Sequence, residues 1–172
     1  IVGEVRGKEA FVLFQGMASG HPSISTMHAD SVDTVIKRLE TPPIELSPTL
    51  VNILDCVAIM THAIVNKKET RRLREIVEII NAKENGTALV NTPFVWNPAN
   101  DIFYFKKQSK VFEKISLRYG VSIAQLQDEF LKRAKLLYNL HKKKIFGFDE
   151  IKSIISDYYK TPDAVLKFYG AV

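Results

Sequence analysis

The sequence is poor in the features that usually identify a site. Cys56 is its single cysteine, which excludes an internal disulfide bond. No apolar run is long enough to cross a bilayer. Metal-type Cys/His clusters, the GxGxxG fingerprint and the phosphate-cradling pattern G-x-x-x-x-G-K-[ST] are also missing. The apolar neighbours of Cys56 predict a buried thiol in a reducing compartment, and a cytoplasmic location is the expectation.

Composition favours an ordinary folded chain with an uneven charge. Of the 172 residues, 46% are apolar and 10% aromatic, enough for a sizeable core. Residues 1–105 hold 10 Lys and Arg against 12 Asp and Glu, whereas residues 106–172 hold 14 against 7. The basic tail fits anionic lipid, an acidic partner, nucleic acid, or simply a solvated helical face.

Periodicity predicts helices and strands in the first half of the chain. We expect a well-buried helix over 9–18, a helix over 32–39 capped by Asp30 or Ser31, and a short helix beginning at Ser47-Pro48. Residues 56–65 are apolar enough for a central strand. Further strands are predicted over 70–80, 88–90, 94–96 and 102–105, with a turn at 84–87. In the 70–80 strand, Glu78 is expected on the more exposed face.

The apolar period changes to about three and a half beyond residue 105, which predicts a helical subdomain over 106–172. Ser109 is expected to cap its first helix. Ser122 and Gln125 form a capping box for a longer helix, and Asp149 is expected to cap the next. Inward-facing residues are predicted to include Ile123, Leu126, Phe130, Ala134, Leu137, Leu140, Ile151, Ile154, Ile155 and Tyr158. The last helix begins at Thr161-Pro162.

The first thirty-one residues carry the chemistry. Gly3-Glu4 follows a short apolar start that reads as the end of a buried strand, and His28 follows the alternating stretch 23–27, a second strand. Ligands of open α/β sheets bind at the carboxyl ends of the strands, so His28 is expected beside Glu4. A carboxylate there can orient an attacking water and help hold Mg²⁺ beside a nucleotide's phosphates.

Several sequence blocks resemble a known family. Gly3-Glu4-Val5-Arg6-Gly7-Lys8-Glu9, Met17-Ala18-Ser19-Gly20-His21 and Ser25-Thr26-Met27-His28-Ala29-Asp30-Ser31 are similar to the Walker B and histidine boxes of the secretion ATPase superfamily. Its members drive type II secretion, type IV pili, type IV secretion and the archaellum. The run from Thr92 to Phe103 looks most like the archaeal branch of that superfamily.

The resemblance implies roles for particular residues. Glu4 and His28 would be the catalytic residues. Glu4 would position water and contact Mg²⁺ indirectly, and His28 would face the γ-phosphate of ATP or couple the site to a subunit interface. Gly3, Arg6 and Glu9 match the same box and are candidates for cofactor binding, and the alternative for Arg6 is a salt bridge with a nearby carboxylate. Arg71, Arg72 and Arg74 are candidates for reaching a neighbouring subunit's phosphates, with a solvated strand face as the alternative. His21 and His62 are expected to be structural.

The resemblance also implies a fold and a setting. The fold class is α/β: the latter part of a RecA-like P-loop core over 1–105, continued by antiparallel strands, and a helical subdomain over 106–172. Because the phosphate loop precedes Walker B in such proteins, the chain is expected to be the carboxyl-terminal part of a longer ATPase and to be inactive alone.

The implied whole protein is a homohexamer with ATP and Mg²⁺. It would lie in the cytoplasm at the inner face of the membrane, beneath a polytopic platform protein, with nucleic acid an unlikely partner. Two alternatives stay open at this point. One is a DNA-transporting type IV secretion ATPase, and the other is a non-catalytic docking module that uses the basic helical tail.

Overall fold

A computed structural model describes residues 1–83, 86–106 and 108–171 of the chain. The chain forms two compact units, Ile1–Val111 and Phe112–Val172. The first combines helices with a four-stranded antiparallel sheet, and the second is helical where it is described. The mixed helix and sheet composition agrees with the predicted α/β class.

Three helices precede the sheet in the first unit: α1 (Glu9–Ala18), α2 (Val32–Glu40) and α3 (Pro48–Val51). The predicted cap of α2 is confirmed, because the Ser31 hydroxyl accepts a hydrogen bond from the Thr34 backbone N–H. Ser47 caps α3 in the same way. Helix α1 was predicted to be well buried, but it is buried on one face only. Ala10 and Phe14 are buried, whereas Phe11 and Val12 are exposed.

The sheet is a meander in the order β1 (Cys56–Val65), β2 (Lys68–Ala82), β3 (Ala88–Asn97) and β4 (Ile102–Phe105). The β1–β2 turn places Asn66 and Lys67 at positive φ, which suits a two-residue hairpin. The strands predicted at 88–90 and 94–96 are one continuous strand, β3. The predicted turn at 84–87 includes residues 84 and 85, which lie outside the described residues.

Strand β1 corrects two predictions. It was predicted to be central but lies at the edge of the sheet, next to β2 alone. Its burial alternates, and Cys56, predicted to be buried, is exposed. An apolar run by itself does not distinguish a strand covered on both faces from an edge strand, because both contain the same residue types.

The first unit's core lies where the three helices pack together and against the sheet. Its buried apolar residues are Val5, Ala10, Phe14, Val35, Ile36, Leu39, Ile44, Leu46, Val51 and Ala82. Val57 of β1 and Ile79 of β2 pack against this cluster. The core therefore fixes the N-terminal segments, which carry Glu4 and His28, relative to the first two strands.

Glu78 is buried, with 4% of its surface exposed, although the strand pattern predicted an exposed position. The register of β2 shifts on either side of it, between Ile76 and Glu78 and between Ile79 and Asn81. A bulge changes which face the following residues occupy, and Val77 and Glu78 are consecutively buried. The alternation rule fails here because the strand is not regular.

The Glu78 carboxylate binds the start of α4 (Lys110–Tyr119). Its Oε2 accepts from the Lys110 backbone N–H at 2.7 Å and from Asn91 Nδ2 at 2.8 Å. Its Oε1 accepts from the Ser109 hydroxyl and, at 3.4 Å, from the Val111 N–H. These contacts attach residues 109–111 to the sheet, and the first compact unit correspondingly extends to Val111.

Asp101 joins the β3–β4 turn to β2. Its carboxylate accepts two hydrogen bonds from Arg72, Nε to Oδ1 at 2.8 Å and Nη2 to Oδ2 at 2.9 Å. It also accepts from Trp96 Nε1 at 2.8 Å. Chiefly through the Arg72 hydrogen bond, and then the one from Trp96, the pKa of Asp101 falls from 3.8 to about 2.

The lowered pKa of Asp101 predicts that acid destabilises the β3–β4 turn. Because the folded state favours the charged carboxylate, its contribution to stability is complete above pH 4 and is lost as the pH falls from 3.8 towards 2. Asp101→Asn should reduce the decline in urea midpoint over that window, followed by fluorescence of Trp96, the single tryptophan. Asp157→Asn, at an exposed position of the second unit, is the control. An unchanged decline in Asp101→Asn would contradict the assignment.

The second unit contains most of α4, then α5 (Ile123–Lys142), α6 (Phe148–Lys160) and α7 (Pro162–Phe168). The capping box of Ser122 and Gln125 is confirmed. Gly147, not Asp149, is the N-cap of α6, and Asp149 lies in its first turn. The core comprises Leu136, Leu140, Ile154, Tyr158, Val165, Leu166 and Ala171.

The apolar stripes of α5 and α6 are narrower than predicted. Ala134 and Leu137 of α5 and Ile155 of α6 are exposed, whereas Leu136 is buried. Apolar spacing identifies a broad helical face but not the narrower strip covered by neighbouring helices. Within the described part of the chain, no helix is both long and apolar enough to cross a membrane.

Candidate functional site

Two N-terminal segments lie side by side in parallel. The Val2 N–H donates to the Ile24 carbonyl at 3.1 Å, and the Val5 N–H donates to the Thr26 carbonyl at 2.8 Å. Only an isolated parallel bridge, between Val2 and Ser25, forms where two strands were predicted. The two segments still run in the same direction, so the residues that follow them meet at one end.

Glu4 and His28 are brought together at that end, as the strand pattern predicts. His28 Nε2 lies 3.4 Å from Glu4 Oε1. The Glu4 side chain is 29% exposed and that of His28 is 81% exposed, so both are open to solvent. An exposed imidazole beside a carboxylate can donate a hydrogen bond to a phosphate oxygen or to a water held by the carboxylate.

Arg6 binds the Glu4 carboxylate and lowers its pKa. Arg6 Nε donates to Glu4 Oε1 at 2.6 Å. This hydrogen bond is the main cause of the lowered pKa of Glu4, and the charges of Arg6 and His28 add to it. A carboxylate that stays charged can polarise a water and attract a cation. An exposed salt bridge with no chemical role has the same geometry, so Arg6 is not assigned a chemical step.

Gly3 and Glu9 take part in hydrogen bonds that hold the backbone between residue 3 and the start of α1. Thr26 Oγ1 donates to the Gly3 carbonyl at 2.6 Å, and the space beside the Gly3 Cα is open. Glu9 Oε1 accepts from the backbone N–H groups of Arg6, at 2.6 Å, and Gly7, at 2.8 Å. These backbone hydrogen bonds lower the pKa of Glu9. Glu9 thus orders the start of α1, and a role for it or Gly3 in cofactor binding stays a prediction.

Asp30 and Arg74 fix the loop that carries His28. The sequence predicted a capping role for Asp30 but not the contact that Arg74 makes with this loop. The Asp30 carboxylate accepts from Thr34 Oγ1 at 2.6 Å and from Ser31 Oγ at 3.1 Å, and these bonds lower its pKa. Arg74 Nη2 donates to the Asp30 carbonyl at 3.0 Å and pairs with Glu75 at 2.7 Å. The Asp-Ser-x-x-Thr spacing signals the cap, but nothing local signals Arg74.

The three arginines considered for a neighbouring subunit have different surroundings. Arg72 is held by Asp101, as described above, and Arg74 supports the His28 loop. Arg71 is exposed on β2. A contact with another subunit's phosphates is a prediction for all three, and Arg71 is the one with the most accessible side chain.

An open groove of about 600 Å³ begins at His28. It passes between α2 and β1 and is lined by His28, Ala29, Asp30, Thr34, Arg38, Met60, Thr61 and His62. Arg38 and the two imidazoles supply hydrogen-bond donors for an anion, and Asp30 is already bonded to Thr34 and Ser31. His62, predicted to be structural, is exposed and lines this groove.

Mg²⁺ is the metal ion that the sequence resemblance implies for this site. Among the described residues, no group of three His, Cys, Asp or Glu side chains is placed to hold a metal ion. Mg²⁺ usually keeps several waters and takes one or two carboxylates together with substrate phosphates. Glu4, charged and exposed, fits that limited role.

Comparison with known proteins supplies a family match. A family model described as "Type II/IV secretion system protein" matches residues 1–92. These residues contain Glu4, His28, the groove and part of the sheet.

Two curated relatives come from Methanocaldococcus jannaschii. Uncharacterized protein MJ1287 is 34% identical over 159 residues, which is 92% of this chain and 58% of its own length. Uncharacterized protein MJ0900 is 34% identical over 166 residues, 93% of this chain and 30% of its own length. The chain thus spans little more than half of one relative and under a third of the other. Both alignments extend well beyond residue 92, so the similarity includes the helical unit.

Proposed function

Because this chain belongs to the type II/IV secretion system protein family, we propose that it forms the catalytic-carboxylate and sensing part of a secretion-type ATPase. In this proposal residues 1–105 are the latter part of a RecA-like core that begins at Walker B. The relatives are longer than this chain, so a protein of their length has room for a phosphate-binding loop outside the aligned residues. The observation that carries the proposal is the ionised Glu4 carboxylate, 3.4 Å from His28 at one end of the groove.

Each residue of the site has a proposed task. Glu4 orients and polarises the attacking water, a matter of placement and charge in phosphoryl transfer. His28 donates a hydrogen bond towards the γ-phosphate side of the site and so distinguishes ATP from ADP. Arg6 helps to position the Glu4 carboxylate through its Nε hydrogen bond, and Arg74 holds the His28 loop through the Asp30 carbonyl. Mg²⁺, when bound, neutralises phosphate charge, with Glu4 contacting it indirectly.

The proposed whole protein is a homohexamer that couples ATP hydrolysis to filament assembly or secretion. It would work at the inner face of the cell membrane, with a polytopic membrane protein as its platform, in the archaeal pilus and archaellum branch. Family membership and the archaeal relatives support this setting. The geometry around Glu4 supports the catalytic part of the proposal, whereas the ring and the platform are proposed from family membership alone.

The test compares the 172-residue chain with the longer protein that is proposed to contain it. We expect Mg²⁺-dependent ATPase activity in the longer protein and none in the chain alone, because the chain has no G-x-x-x-x-G-K-[ST] loop to hold phosphates. Phosphate release from both proteins, with and without Mg²⁺, measures this. Lack of ATPase activity in a folded, nucleotide-binding longer protein would contradict the proposal. Activity in the chain alone would contradict the bipartite site.

A further inference from the structure

The end of α5 and the start of α6 carry exposed cationic and aromatic side chains. We call this region the α5–α6 corner and define it as Tyr138, Lys142, Lys143, Lys144, Phe146 and Phe148. From Phe130 to Phe148 the sequence has six Lys and Arg residues and no Asp or Glu. The second unit is thus locally much more basic here than its overall composition indicates, and an anionic partner is the complement of such a surface.

Lys142, Lys143 and Lys144 form no ion pairs within the part of the chain that the structure describes. None of them pairs with a carboxylate among the described residues, unlike Lys132 and Arg133, which pair with Asp128 and Glu129 one turn earlier. Lys142 instead lies over the Tyr138 ring, with Nζ 4.7 Å from its centroid, and Lys143 Nζ lies 5.4 Å from the Tyr169 centroid. Their charges remain available to a partner.

Lys144 occupies a position that favours glycine. The Lys144 N–H donates to the His141 carbonyl and the Ile145 N–H to the Leu140 carbonyl, both at 3.0 Å, which is the hydrogen-bond pattern of a Schellman end. Lys144 has φ of 58°, and left-handed backbone is costly for a residue with a Cβ. A lysine here adds charge to the corner at the expense of local stability, because glycine would end the helix better.

The aromatic residues of the corner are not part of the core. Phe148 is 81% exposed and Phe146 is 64% exposed. Phe146 makes an edge contact with His141, with ring centroids 5.6 Å apart. A helix C-terminus attracts lysines through its dipole, which accounts for cations at this place but not for two exposed phenylalanines. Phenyl rings beside lysines are typical of surfaces that enter the headgroup region of a membrane.

We propose that the α5–α6 corner binds directly to an anionic lipid bilayer. The lysine ammonium groups contact lipid phosphates, and Phe146 and Phe148 enter the boundary between headgroups and acyl chains. Nucleic acid fits less well: the Tyr138 face is covered by Lys142, and the corner offers lysines without the planar guanidinium of arginine. The proposal concerns the second unit and does not depend on the proposed ATPase function.

Vesicle flotation of the 172-residue chain tests the proposal. The chain should float with vesicles that contain phosphatidylglycerol and not with pure phosphatidylcholine vesicles. One lysine near an anionic surface changes the partition coefficient about fivefold, so Lys142→Glu, Lys143→Glu and Lys144→Glu together should lower it about 100-fold or more. The matched control reverses Lys67, Lys114 and Lys160, which are exposed elsewhere, and should bind nearly as well as wild type.

The aromatic residues separate a membrane surface from a merely anionic ligand. Phe146→Ser with Phe148→Ser leaves the charge unchanged and should still lower vesicle binding about tenfold or more, because apolar burial supports such binding. Equal binding by this variant would overturn the proposal in favour of a simple anion surface. Tighter binding of the chain to single-stranded DNA than to the vesicles, at the same salt concentration, would also overturn it. So would equal loss of binding in the control variant.

Lys144→Gly separates binding from stability. Glycine relieves the positive φ at this position, so the variant should unfold at a higher temperature than wild type. It also removes one charge and should bind anionic vesicles about fivefold less well. Unchanged vesicle binding by a Lys144→Gly variant that keeps the helical circular dichroism signal would overturn the assignment of Lys144 to the binding surface.

Discussion

Replacing Glu4 with glutamine in the longer protein is expected to lower kcat for Mg²⁺-dependent ATP hydrolysis about 100- to 1,000-fold. Glutamine keeps the size of the side chain and one oxygen, but it loses the charge that polarises water. The affinity for Mg²⁺-ATP should change little, because the proposed phosphate-binding loop lies outside this chain. A fall in kcat with nucleotide binding preserved is the signature of a group that acts mainly in the transition state.

The competing interpretation is that Glu4 only forms a surface salt bridge with Arg6, 2.6 Å away. Exposed ion pairs contribute little to stability, so both interpretations predict a nearly unchanged urea midpoint for Glu4→Gln. They differ in kinetics. A salt bridge alone predicts that Arg6→Gln and Glu4→Gln have equal effects on kcat, and this result would remove Glu4 from the chemistry. Glu69→Gln, at an exposed position of β2, controls for the loss of a carboxylate.

The pairing of Glu4 with His28 could be predicted from the sequence because it depends on simple geometry. Two apolar segments running in parallel bring the residues that follow them to one end, and the 3.4 Å separation of Oε1 and Nε2 agrees with that. The caps at Ser31 and Ser122 were likewise predictable, since each involves a side chain and a backbone N–H three residues apart.

The parts that the sequence did not reveal depend on residues far apart in the chain. Arg74 reaches the Asp30 carbonyl across 44 positions, and no local pattern selects that partner. The edge position of β1 follows from which strands pair, and Cys56 is exposed because it lies on the face of β1 that the core does not cover. Composition indicates which secondary structure a segment can form, whereas its burial depends on which distant segments of the chain pack against it.

Glu78 is the clearest case of a long-range contact, and its replacement is expected to have the largest effect on folding. Glu78→Ala removes a carboxylate that accepts hydrogen bonds from Asn91, Ser109, Lys110 and Val111, in a site with 4% exposure. Hydrogen bonds to buried charged groups are strong, and leaving their donors without the carboxylate costs about 3–5 kcal/mol of unfolding free energy. Urea unfolding followed by Trp96 fluorescence measures this loss.

Glu78→Gln refines the test because it preserves the shape of the side chain. Its amide group presents an N–H₂ where Oε1 or Oε2 now accepts, so at least one donor faces another donor, and we expect a loss of about 2 kcal/mol. Amide hydrogen exchange of Lys110 and Val111 should accelerate in the same variant, because these N–H groups donate to the carboxylate. Glu69→Gln, exposed on the same strand, should alter neither measurement. If Glu78→Gln were as stable as this control, Glu78 would not be what attaches residues 109–111 to the sheet, and the bulges of β2 would have placed a carboxylate in the interior without structural benefit.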